Sequence, residues 1–171
     1  MAIDVLARRY GASERSEHKA LTYAVTLKGP GNASEKAILC KPQTFMNLSG
    51  ESVQALCAFY KIDPKNLIVL HDEIDQPFGN MKVATKRGHG GQNGIRDIHE
   101  KLGNEYYRLR LGVSRPPDPR FDIADWVLSN FPKDEQQKLP DFLNVAADAA
   151  EYLVFHGYEK AATKFNGAAI K

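Results

Sequence analysis

The sequence predicts an α/β fold: a single domain with a mixed, mostly parallel sheet and helices on both faces. Three observations predict it. Stretches with apolar residues at helical spacing are interleaved with short apolar runs of strand length, the pattern that lays helices over a sheet. One run, Leu67-Ile-Val-Leu70, is continuously apolar between Asp63-Pro64 and Gln76-Pro77, as a strand buried on both faces requires. The 171 residues suffice for one domain with a sizeable core, and 43% hydrophobic against 26% charged residues is ordinary for a globular chain.

Taken in order, the chain opens with Ile3, Leu6 and Tyr10 at helical spacing and a stop at Gly11. This helix starts without a capping residue or a strand before it. Residues 12–19 are polar and read as a loop. Leu21–Leu27 and Lys36–Lys41 read as strands, joined by the turn Lys28-Gly-Pro-Gly-Asn-Ala-Ser34. The loop Pro42–Gly50 follows, with Ser49 expected to cap a helix that buries Val53, Leu56, Cys57 and Tyr60. After the central strand come a turn (76–80) and a short strand, Met81–Ala84. Asn93 is expected to open a helix over Gly94–Leu102, stopped by Gly103. Tyr107–Val113 reads as a strand with Arg108 and Arg110 on one face. A proline-rich loop, the Trp126 segment and a long helix from Pro132 to Gly157 lead to a last helix, Tyr158–Phe165.

Charge and cysteine usage bound the function. A formal charge of +2 is too small to indicate nucleic acid by itself. Cys40 and Cys57 lie inside apolar segments and read as buried free thiols, which places the chain in a reducing cytoplasm. No apolar stretch has membrane-spanning length.

Two segments carry chemistry-bearing residues. The central strand turns polar at His71-Asp-Glu-Ile-Asp75, where open α/β sheets bind ligands. Strand alternation sends His71 and Asp72 to opposite faces, so they are no ready-made pair. Acidic residues after a strand also serve as caps or solvated turns, and a metal site on His71, Asp72, Glu73 and Asp75 matches no defined ligand spacing. The second segment, Lys86-Arg-Gly-His-Gly-Gly-Gln-Asn-Gly94, is a basic glycine-rich loop feeding a helix N-terminus, a plausible anion site or a plain surface loop. It lacks both the Gly-Lys-Ser/Thr ending of a nucleotide loop and the Gly-x-Gly-x-x-Gly spacing of a dinucleotide turn.

Thr44-Phe-Met-Asn-Leu-Ser-Gly50, His71-Asp-Glu-Ile-Asp75 and Gly88-His-Gly-Gly-Gln-Asn-Gly94, in this order, resemble bacterial-type peptidyl-tRNA hydrolase, as do Lys101-Leu-Gly103 and Tyr107-Arg-Leu-Arg-Leu-Gly112. The resemblance runs over essentially the whole chain. It implies a hydrolase that cleaves the ester between peptide and tRNA and recycles tRNA from aborted translation, with no cofactor or metal. It implies peptidyl-tRNA as partner, no membrane, a cytoplasmic monomer, and one domain over residues 1–171. By the same resemblance Asp72 orients the catalytic histidine, Asn47 and Asn93 hold the substrate near the ester, and Phe45 lines the pocket. Lys82, Lys86, Arg87 and Arg110 carry phosphate-binding charge. The family opens with a strand, a Gly-x-x-Asn-Pro-Gly turn and an Arg-His-Asn-x-Gly segment whose histidine is the general base. The helix at Met1–Gly11 resembles the one after that segment, so the chain is expected to start just past it and to be impaired. His89 is the least implausible substitute among His18, His71, His89, His99 and His156. The alternative is a non-catalytic RNA-binding relative.

Overall fold

The computed structural model describes residues 1–45 and 48–170. Helix α1 (Ala2–Arg9) is followed by strands β1 (Glu14–Glu17), β2 (Ala20–Lys28) and β3 (Ser34–Pro42), then helix α2 (Ser49–Phe59). Strands β4 (Ile68–Glu73) and β5 (Asn80–Thr85), helix α3 (Asn93–Leu102) and strand β6 (Tyr107–Gly112) form the middle of the chain. Helices α4 (Ile123–Leu128), α5 (Lys133–His156) and α6 (Tyr158–Phe165) and the two-residue strand β7 (Gly167–Ala168) complete it.

The α/β class holds. The strands form two sheets, β1-β2-β3 and β4-β6-β5-β7. The four-stranded sheet is mixed, and β1–β2, β2–β3 and β5–β7 run antiparallel. The reason is connection length: the turn that Gly31 makes at φ +60° lets β2 fold straight back as β3, and parallel neighbours need a crossover. Parallel order survives between β4 and β6, where Tyr107 N–H meets Leu67 O and Val113 N–H meets Glu73 O in constant register.

Two compact units make up the chain. Ile3–Val69 with Thr85–Tyr107 form the first, and Leu70–Ala84 with Arg108–Lys171 the second. In the first, α2 and α3 bury Val53, Cys57, Ile95 and Ile98 with Tyr106, and Leu67, Val69 and Leu102 pack against them. The residues expected to be loop at 12–19 instead contain β1. Its sequence is wholly polar, and side-chain bonds hold it in place: Thr22 Oγ1 donates to Glu17 at 2.8 Å and the Tyr23 hydroxyl to Glu14 at 2.5 Å. In the second unit, Phe78 meets Phe131 and Phe142 edge to face, and Asn166 Oδ1 accepts the Val83 N–H at 2.8 Å, which ties the C-terminal strand to β5.

Candidate active site

Strand β4 does not end at Leu70; it runs on through His71-Asp-Glu73. Its apolar half is only half-buried at Ile68–Leu70, whereas His71 and Glu73 at the polar end are buried, 7% and 6% exposed. Alternation explains the pattern. His71 and Glu73 share the covered face, and the half-buried Asp72 projects to the other.

Glu73 pairs with Arg110, whose outer nitrogen approaches Oε1 at 3.2 Å and whose Nε donates to Oε2 at 3.4 Å. Beyond the strand, exposed Asp75 is held by Arg115, at 2.6 Å and 2.7 Å. The His71 Nδ1 lies 2.9 Å from the Asp72 main-chain oxygen. Burial drives the His71 pKa down from 6.5 to about 4, so its ring is neutral at physiological pH. Among the described residues no three of His, Cys, Asp or Glu gather to hold a metal ion.

The glycine-rich loop belongs to the first unit. Lys86, Gly90 and Gly91 adopt positive φ, and the loop curls around His89, whose Nδ1 accepts the Gly91 N–H at 2.9 Å. A nitrogen that accepts carries no proton, so the neutral His89 ring has its proton on Nε2. The loop delivers the chain to α3, which is capped by Gln92: its Oε1 accepts the Ile95 N–H at 2.8 Å. Asn93 was expected to open this helix. It is instead the first helical residue and is exposed, and capping does not occupy its amide.

Ser49 was expected to cap α2; it is instead the first helical residue, behind Leu48, whose side chain makes no cap bond. The cap comes from α3, where Asp97 Oδ2 accepts the Gly50 N–H at 2.7 Å. The second oxygen of Asp97 pairs with Lys101. Gly50 is required by this approach, since a Cβ there would lie 2.7 Å from the Asp97 carbonyl and 2.8 Å from its carboxylate. The junction locks the start of α2 to the middle of α3, the helix that carries Asn93. Sequence reasoning missed Asp97. Its signal was an acid on the apolar face of α3, between Ile95 and Ile98.

The remaining expected residues fall as follows. Phe45 is 83% exposed, and Asn47 lies outside the described residues. Lys86 and Arg87 are exposed on the glycine loop, and Lys82 is half-buried on β5. Asp72, Lys82 and Arg110 belong to the second unit; Phe45, Lys86, Arg87 and Asn93 belong to the first.

Comparison with known proteins identifies the arrangement. The family description "Peptidyl-tRNA hydrolase" matches residues 1–171. The chain belongs to the peptidyl-tRNA hydrolase family. A peptidyl-tRNA hydrolase from Bdellovibrio bacteriovorus is 49% identical over 168 residues, covering 97% of this chain and 87% of the relative. One from Deinococcus deserti is 45% identical over 172 residues, covering 100% of this chain and 77% of the relative. The crystal structure of peptidyl-tRNA hydrolase from Acinetobacter baumannii superposes with a TM-score of 0.86 at 29% identity, over 99% of this chain and 85% of that one. These relatives make the chain a member of a hydrolase family acting in translation. The family match runs from residue 1 to residue 171 and lends no support to the expectation that a strand and a catalytic-histidine segment are missing. Among the described residues no helix is long and apolar enough to cross a membrane.

Proposed function

We propose that this chain hydrolyses the ester between the peptide and the 3′ ribose of peptidyl-tRNA, acting as a monomer in the cytoplasm and returning free tRNA. The observation that carries the reading is the family match along all 171 residues, with Asp72 at the polar end of the strand that parallels β6. Ester hydrolysis needs a base for the water and donors for the developing oxyanion. Asp72 supplies a carboxylate that fixes a histidine tautomer and stabilises the imidazolium. Asn93 and Asn47 each offer a donor and an acceptor that do not titrate, suited to an ester carbonyl and a peptide backbone. Phe45 supplies an exposed apolar surface beside them in sequence. Lys86 and Arg87 meet phosphates, with Lys82 and Arg110 as further charge, though Arg110 also serves Glu73.

The base must be a group able to take a proton from water, and the chain holds five histidines. His71 is buried, and His89 Nδ1 accepts the Gly91 N–H. His18 rests against Phe59, His99 against Tyr106 and His156 against Tyr152. The non-catalytic alternative is not favoured, since both relatives are named as hydrolases.

The test is release of free tRNA from a peptidyl-tRNA by the purified chain and by its Asp72→Asn variant. Cleavage that falls on the order of a hundredfold or more in the variant supports the assignment. Salt-dependent tRNA binding without any cleavage would return the reading to an RNA-binding relative.

A further inference from the structure

The imidazole of His71 is one of the few buried polar side chains, and the chemistry above leaves it without a task. Its ring is 7% exposed and touches the residue that carries the proposed catalytic carboxylate. A carbonyl oxygen can only accept, so the 2.9 Å contact with Asp72 O puts the proton on Nδ1. The neutral ring then presents a bare lone pair at Nε2, and that atom is buried with no partner among the described residues.

The direction of the Asp72 carbonyl shows why this contact matters. Along β4, Leu67 O and Glu73 O accept from β6, so odd-numbered carbonyls face β6 and the Asp72 carbonyl points the other way. Strand β4 is the end strand of its sheet as described. The ladder with β6 runs through the odd-numbered carbonyls, and the ring of the preceding residue meets the Asp72 carbonyl. That bond closes a small loop through the 71–72 peptide and restrains the Asp72 backbone, from which the carboxylate projects.

We propose that His71 is a positioning residue for the hydrolysis, its Nδ1–H holding the Asp72 carbonyl so that the Asp72 carboxylate keeps one orientation. The proposal rests on the assignment of Asp72 given above. The charged groups around the ring are Arg108, Asp72 and Glu73, with Arg110 held on Glu73. The carboxylates among them only accept, so they cannot replace the donor at Nδ1. A small displacement of a catalytic group costs up to about a hundredfold in rate, so a loose Asp72 should be visible in turnover.

The experiment compares His71→Phe, which keeps the ring shape and removes the donor, with His71→Asn, whose amide can donate to the same carbonyl. Val83→Ala serves as a control that loosens the buried β5 core away from the contact. Two readouts are taken at a temperature where every variant is folded: kcat and KM on peptidyl-tRNA, and the titration of the Asp72 carboxyl followed by carbon NMR. His71→Phe is expected to lower kcat on the order of tenfold or more with KM little changed, to shift the Asp72 titration, and to be largely rescued by His71→Asn. Val83→Ala is expected to move neither. An unshifted Asp72 titration in His71→Phe, or an equal shift in Val83→Ala, overturns the proposal. If the wild-type chain cleaves nothing, the assignment of function fails and the carboxyl titration still decides whether His71 positions Asp72.

Discussion

Removing the Asp97 carboxylate should loosen the junction on which the amide-bearing helix is built. In Asp97→Ala the Gly50 N–H loses its acceptor at 2.7 Å, and Gly50 and Asp97 are both buried. The lost cap contributes ~1–2 kcal/mol, and the stranded buried N–H raises the total to roughly 2–4 kcal/mol. Lys101 also loses its partner, which adds little because its ammonium reaches solvent. At this chain length each kcal/mol moves the melting midpoint by roughly 2–4 °C, so the variant should melt about 5–15 °C below wild type. Asp97→Asn keeps an oxygen for Gly50 and should lose about half as much or less. The assay is a thermal melt paired with urea unfolding, and turnover is measured well below the lower midpoint. A variant within ~0.5 kcal/mol of wild type would refute the claim that α3 caps α2.

Three further outcomes follow from the same contacts. Gly112→Ala should be destabilised by about 2 kcal/mol or more, because a Cβ there would lie 2.1 Å from the Pro77 carbonyl; a melting curve matching wild type would contradict that approach. Arg110→Met should cost about 3–5 kcal/mol by stranding Glu73, whereas Lys86→Ala and Arg87→Ala should leave stability intact and each reduce the salt slope of tRNA binding by about one; binding isotherms over a salt series beside urea curves separate the two effects. Stability should be full above pH 6.5, the ordinary histidine pKa, and fall as the pH drops toward about 4, where folded His71 first protonates. The unfolded chain takes up that proton first, so about 3 kcal/mol is lost across the window, and His71→Phe should lack this part of the acid slope.

The sequence by itself determined the alternation of helices and strands, the turns at Lys28–Ser34, Gly103 and Gly157, and the motif residues that lead to the family. All of these are local, because periodicity and glycine at positive φ act within a few residues. The tertiary structure alone decided who satisfies the buried polar groups. Ser49 and Asn93 looked like caps, yet Asp97 caps α2 from 47 residues away and Gln92 caps α3. Arg110 reads as phosphate-binding charge, and the structure gives it a partner the sequence does not show, Glu73, 37 residues away. A polar stretch such as Glu14–Glu17 has no strand signal of its own and becomes β1 only because β2 offers it a ladder. The physical reason is the same in each case. A buried charge or N–H must find a partner, and the fold, not the neighbouring sequence, sets which partner lies within about 3 Å.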